Sequence, residues 1–157
     1  MNQHGSTSRS PSSVVAASSI VTSELTIQTK GSGFVDLTAE VAEFVRDAGA
    51  REGSLNLFIR HTSASLTIQE NADPSVLVDL KTALARLAPE HAGWIHDTEG
   101  ADDMPAHVKT MLTATSLQVP VVNGKLRLGT WQAIYLVEHR ARPHRRVVVL
   151  QFLGERD

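Results

Sequence analysis

Two histidines flanked by carboxylates form the densest chemistry in this chain. His96 and His107 bracket a run that also holds Asp97, Glu99, Asp102 and Asp103. A helix cap uses one or two carboxylates, so the surplus points to a cation or a cationic substrate group. The bland alternative is a capped helix start in a solvated acidic loop. The spacing of His96 and His107 fits no zinc-finger pattern, and no His-Glu-x-x-His helix is present. The chain has no cysteine, which leaves imidazole and carboxylate as the strong ligands. That mixture suits Zn²⁺, with Mg²⁺ as the other candidate.

Glu138 is the second candidate. Alternation places it on a strand face with Gln132, Ile134 and Leu136, opposite His139, Trp131, Ala133, Tyr135 and Val137. A carboxylate beside apolar neighbours is paired, protonated or metal-bound. Otherwise it sits at the exposed strand end against Arg140 or Arg145. His61 opens a hydroxyl-rich turn, Thr62-Ser63-Ala64-Ser65. Such a turn either holds phosphate oxygens or bonds its own backbone. Ser63 has no assignable Ser-His-Asp arrangement. Glu70 and Asn71 are pocket candidates, whereas Asp73 is adequately explained as a helix cap. Trp131 either stacks on a heteroaromatic ring or serves the core or an interface. His91 and His144 carry no such company and are expected to be ordinary surface or core residues.

The elements that position these residues follow from period and punctuation. Strands are expected over Ile20–Thr29, Phe34–Leu37, Leu55–Arg60 and Ser65–Ile68. Further strands are expected over Leu117–Val122, Lys125–Leu128, Thr130–His139 and Arg146–Leu153. Asn123-Gly124 is the strongest hairpin turn. Thr38 is expected to cap a helix carrying Val41, Phe44, Val45 and Ala48. Asp73-Pro74 starts a second helix, with Leu77, Leu80, Leu84 and Leu87 as its core stripe. Asp102 or Asp103 is expected to cap a third, from about Met104 to Ala114. Strands joined by such short connections are mostly antiparallel, so the class is α+β.

With 157 residues and 17.0 kDa the chain has room for one ordinary domain. Residues 1–18, rich in Ser, are expected to be a disordered tail, and 19–157 a single domain. A net charge of −2 leaves no footprint for nucleic acid or anionic membrane. No apolar run reaches membrane-helix length, no targeting segment is evident, and a cytoplasmic protein is expected.

Three blocks together resemble the YjbQ family, also called the secondary thiamine-phosphate synthase family. The first is His61-Thr62-Ser63-Ala64-Ser65-Leu66-Thr67-Ile68, running into Glu70-Asn71-Ala72-Asp73-Pro74. The second runs from His96-Asp97-Thr98-Glu99-Gly100 through Asp102-Asp103-Met104-Pro105-Ala106-His107-Val108-Lys109. The third joins Asn123-Gly124, Leu128-Gly129-Thr130-Trp131-Gln132 and Glu138-His139-Arg140. The resemblance spans about Ile20 to Glu155. Ala133 departs from the Gly common at that position.

The resemblance implies a two-layer, YjbQ-like α+β fold packed through its sheets into a homotrimer. It also implies weak thiamine-phosphate synthase activity, a transferase reaction joining an aminopyrimidine diphosphate to a thiazole phosphate. Residues and resemblance together give an expected site. His61, Glu70 and Glu138 are its catalytic candidates, and His96, His107 and Glu138 its metal ligands. Thr62, Ser63, Asn71, Asp73, Glu99, Thr130, Trp131 and Gln132 would bind a small phosphorylated substrate. The competing expectation is a non-catalytic trimeric protein that binds a metal or small anion.

Overall fold

The structure is a computed structural model and describes residues 7–157; the expected tail over residues 1–6 lies outside the described residues. Residues 7–18 are exposed and carry no helix or strand, and Ser18 N–H donates to Gly154 O just before the first strand. The elements are β1 (Ser19–Gln28), β2 (Gly33–Asp36), α1 (Thr38–Asp47), β3 (Ala50–Ile59) and β4 (Ala64–Glu70). They continue with α2 (Pro74–Leu87), α3 (Asp103–Leu112), β5 (Ser116–Val122), β6 (Lys125–Leu126), β7 (Gln132–Glu138) and β8 (Arg145–Arg156). The expected order and α+β class are observed.

Two antiparallel sheets pack face to face. The larger has the order β1-β8-β3-β5-β6 and the smaller β2-β7-β4. Period-two alternation sends Leu55, Leu57 and Ile59 of β3, and Val148, Leu150 and Phe152 of β8, into the space between them. Leu66, Ile134 and Leu136 of the smaller sheet meet them there, and Val41 and Val45 of α1 close one end. Gly53 and Gly154 pair in register, and a Cβ on Gly154 would stand 2.1 Å from Glu52 O. No side chain fits that approach, which lies beside the β3–β8 irregularity at Ala50 and Glu52. Asn123 (φ 52°) and Gly124 (φ 71°) form the left-handed turn between β5 and β6.

The helices depart from expectation in instructive ways. Thr38 does not cap α1. The Asp36 carboxylate accepts from Thr38 N–H, and the Thr38 hydroxyl instead accepts from Ile134 N–H of β7. Asp73 does cap α2, accepting from Ser75 N–H at 2.8 Å. The α2 leucine stripe, however, is not core. No α2 residue is buried, and Leu87 is 65% exposed. Leu80 and Leu84 of this helix face Phe34 and Val137 of the smaller sheet across open pockets and are not packed into a core. Neither Asp102 nor Asp103 caps α3 with its side chain. Among the described residues no helix is long and apolar enough to cross a membrane.

Candidate metal centre and its surroundings

Asp103 begins α3 and His107 follows one turn later, so both project from the same side of the helix. The preceding loop brings His96 back against them. Three ligand atoms, one each from His96, Asp103 and His107, lie within 4.8 Å of one another. His96 Nε2 stands 2.8 Å and His107 Nε2 3.4 Å from Asp103 Oδ2. Ligand atoms around a tetrahedral Zn²⁺ stand roughly 3.3 Å apart, given metal–ligand bonds near 2.0–2.1 Å. The His107–Asp103 distance matches that spacing, and the shorter His96–Asp103 distance is that of a direct hydrogen bond, so the chemistry of the donor set suits such an ion.

The surrounding bonds fix this geometry. His107 Nδ1–H donates to Thr62 O at 2.9 Å, which sets the tautomer and frees Nε2. Asp103 Oδ1 accepts from Arg140 Nη1, so the carboxylate is held from behind. Arg140 also donates to Asp102 Oδ2 and to Glu99 O. Burial alone would raise the Asp102 carboxyl. Hydrogen bonds from Ala141 N–H and Arg140, with the guanidinium charge, outweigh it and hold the group below its usual range. The surplus acids of the loop are thus not all solvated: Asp103 joins the histidines, and Asp102 anchors Arg140. Glu99 contributes its carbonyl rather than its side chain.

Glu138 is not among these ligand atoms. It is 1% exposed and lies between the sheets. Arg146 donates to both of its oxygens at 2.7 and 2.6 Å; Thr29 Oγ1 and Arg140 N–H supply the rest. Burial would raise this carboxyl, but those bonds and the Arg146 charge hold it below its usual range. The third candidate ligand is therefore Asp103 and not the expected Glu138, which is a buried ion-pair partner of Arg146. The link of Glu138 to the centre runs through the backbone of Arg140.

His61 Nε2 accepts from Val147 N–H at 2.9 Å. Its basic lone pair is engaged, which argues against a proton-abstracting role and leaves Nδ1–H as a donor. Burial, with the nearby Arg146 charge, lowers the His61 pKa and keeps the ring neutral. Arg60, His61, Thr62, Ser63, Thr115 and Arg146 help line an open hollow of about 590 Å³. Thr62 belongs both to this hollow and, through its carbonyl, to the His107 support.

The remaining expected site residues lie elsewhere. In the β4–β7 ladder Ala64 pairs with Glu138, and Glu70 pairs with Gln132. Six steps of strand separate the two ends, about 20 Å. Glu70, Asn71, Asp73, Thr130, Trp131 and Gln132 cluster at the far end, where Asn71 N–H donates to Trp131 O. Trp131 is 64% exposed. Within one chain these residues and the His96–Asp103–His107 centre do not form one pocket.

Sequence reasoning missed Arg140 as a support and gave His139 no role. His139 is 4% exposed, and its Nε2 lies 2.8 Å from Ser65 Oγ. Burial, reinforced by the Lys109 charge, lowers its pKa to about 4, so the ring is neutral near pH 7. The available signal was its position on a strand face of otherwise apolar residues.

A two-sheet α+β domain with an imidazole–carboxylate centre at the start of a short helix defines the class of protein. The family model described as UPF0047 protein YjbQ-like matches residues 23–155, and the chain belongs to that family. It is 49% identical over 132 residues to a UPF0047 protein of Synechocystis sp., covering 83% of this chain and 90% of that one. UPF0047 protein YjbQ of Escherichia coli O157:H7 is 42% identical over the same length, covering 83% and 96%. A crystal structure of a hypothetical protein from Aeropyrum pernix K1 superposes with a TM-score of 0.80 at 31% identity, covering 86% of this chain and 99% of that one.

Proposed function

We propose that the protein is a small metal-assisted enzyme acting on a phosphorylated heterocycle, with a weak thiamine-phosphate synthase activity. The observation that carries this reading is the convergence of His96 Nε2, His107 Nε2 and Asp103 Oδ2, with His107 oriented by Thr62 O. Three protein ligands leave a position open, the arrangement of a catalytic rather than a closed structural ion. A bound Zn²⁺, or Mg²⁺, would supply charge neutralisation for a departing diphosphate. Around it the chain's own groups bind and orient. The hollow beside Thr62 is lined by His61, Thr62 and Arg60, the last already paired with Glu24, and phosphate oxygens would meet these groups there. Arg140 holds Asp103 in place, and Glu138 holds the Arg140 backbone.

A homotrimer and a cytoplasmic setting belong to the same proposal. The outer face of the larger sheet exposes Ile20, Phe58 and Leu153 without a covering layer, which supports assembly through the sheets.

Two measurements test the proposal. Elemental analysis of protein purified without added metal should find about one ion per chain. Folded His96→Ala, Asp103→Asn and His107→Ala variants should lose most of it, and equal metal in all four proteins rejects the centre. Thiamine phosphate formed from the two half-molecules should exceed a boiled control and fall by orders of magnitude in His107→Ala. Metal binding without any turnover would favour the non-catalytic alternative.

A further inference from the structure

On the other side of α3 from Asp103 and His107, a separate pocket of about 160 Å³ opens between α2, β2 and the end of β7. None of His96, Asp103 and His107 lines it. Phe34, Leu84 and Val137 form its apolar wall, and His139 and Lys109 stand at its polar end. The charges around that end leave no strong surplus of either sign. Glu138 is paired with Arg146 and Asp102 with Arg140, and Lys81 donates to Ser32 O. Lys109 stands among these carboxylates and that of Glu90. Neither an anion nor a cation is selected here, so hydrogen bonding and shape must choose the ligand.

The tautomer of His139 follows from a chain of three hydroxyl and carbonyl contacts. Lys109 O has no proton to give, so the Thr113 hydroxyl donates to it at 2.7 Å. Ser65 Oγ–H then donates to Thr113 Oγ1, also at 2.7 Å, and Ser65 Oγ accepts from His139 Nε2–H at 2.8 Å. The neutral ring therefore carries its proton on Nε2 and a bare lone pair on Nδ1. His139 is 4% exposed, yet among the described residues nothing donates to Nδ1. No fully enclosed side-chain nitrogen or oxygen among those residues lacks a partner. Nδ1 must therefore retain some surface, and the pocket that His139 lines is where it opens. A nearly buried acceptor without a donor costs free energy until something supplies one. The half-buried Lys109 ammonium likewise makes no hydrogen bond or ion pair among the described residues. The polar end thus offers one acceptor and one donor, side by side with an apolar wall.

We propose that this pocket binds a neutral single-ring lactam, whose ring N–H donates to His139 Nδ1 and whose carbonyl accepts from Lys109 Nζ, with the ring against Phe34, Leu84 and Val137. A cyclic amide carries its N–H and C=O on one edge, which answers an acceptor and a donor at one end of a pocket. A carboxylate has no proton for Nδ1, and an ammonium would meet Lys109. A cavity of about 150 Å³ holds a molecule the size of benzene, which sets the ligand at one six-membered ring. The adjoining apolar cleft, of about 310 Å³, shares Phe34, Leu84 and Val137 and leaves room for a ring substituent. The site is distinct from the His96–Asp103–His107 cluster. Lys109 and His107 lie two residues apart on α3 and so face nearly opposite ways, which lets one helix serve both.

The test is an NMR titration of the isotope-labelled full chain with 2-pyridone, N-methyl-2-pyridone and benzoate, each with and without EDTA. 2-Pyridone should saturate at one site per chain with a Kd below about 10 mM and move the His139 Nδ1 resonance. N-methyl-2-pyridone keeps the carbonyl but lacks the N–H, and benzoate is an anion without a donor. Both should bind about tenfold more weakly or not at all. EDTA should leave 2-pyridone binding unchanged, since no candidate metal ligand lines the pocket. His139→Phe removes the acceptor, and Leu84→Trp fills the wall from a half-exposed position; each should weaken 2-pyridone about tenfold. If His139→Phe fails to fold by circular dichroism, Leu84→Trp and the wild-type His139 resonance carry the test. Any one of four results would overturn the proposal. They are no saturable 2-pyridone binding or an unmoved His139 resonance at saturation, either control ligand binding as tightly, binding lost with EDTA, and unchanged affinity in the folded variants.

Discussion

Replacing Glu138 by Ala should destabilise the protein far more than it disturbs the His96–Asp103–His107 cluster directly. The substitution leaves the Arg146 guanidinium, 4% exposed, without its bidentate partner between the sheets. Breaking a buried pair from one side costs about 3–5 kcal/mol, because an uncompensated charge stays inside. Thr29 Oγ1 and Arg140 N–H lose an acceptor as well, which places the effect toward the upper end. For a domain of this size about 1 kcal/mol moves Tm by 2–4 °C, so Tm should fall by roughly 6–20 °C. Removing both charges in Glu138→Leu/Arg146→Met should recover much of that loss. The sign with pH is fixed by the depressed Glu138 carboxyl. Its contribution is present above the ordinary value of 4.5 and disappears as pH falls through the lower folded-state value. Urea or thermal unfolding at one fixed protein concentration measures all of this. A single variant that loses less than about 1 kcal/mol, or a double variant no more stable than the single, would refute the reasoning.

Other outcomes follow from the same geometry. His139, with a folded-state pKa of about 4 against an ordinary 6.5, stays neutral while the unfolded chain takes up a proton. Stability should therefore drop as pH falls from 6.5 toward 4, by roughly 3 kcal/mol in all, and its NMR resonances should not titrate between about pH 5 and 8. A resonance moving with a midpoint near 6.5 contradicts its burial. Deleting residues 1–17 should shift Tm by no more than about a few degrees, since residues 7–17 have no secondary structure; a larger loss ties the segment into the fold. Light scattering coupled to size exclusion should give about three times 17.0 kDa, and a monomer at micromolar concentration removes the assembly proposal.

Strand and helix order were legible because each element carries its own local code. Asp73-Pro74 started α2, Asn123-Gly124 turned the hairpin, and β3 kept Leu55, Leu57 and Ile59 on one face. What the sequence hid was set by pairing. Glu70 and Trp131 sit in blocks that look adjacent to His61 and Glu138, but the antiparallel register of β4 and β7 carries them to the opposite end. Helical period revealed the apolar stripe of α2 but not whether another layer covers it. The imidazole pair was visible from its acidic company. Asp103 as its third member was not singled out, because a carboxylate at a helix start is usually a cap, and only Arg140 and the histidines give this one another use.

Three consecutive residues, Glu138, His139 and Arg140, enter three different environments: the space between the sheets, the pocket under α2 and the support of Asp103. Their separation depends on the two-residue pleat at the end of β7, where neighbours point oppositely. A deletion of one residue within Gln132–Glu138 would therefore act as several substitutions at once. It would turn an imidazole toward Arg146, a carboxylate toward Lys109, and pull the guanidinium away from Asp103. Length conservation in this strand is accordingly a stricter demand than side-chain conservation. A library tolerant of point changes along β7 should still contain almost no functional indels there.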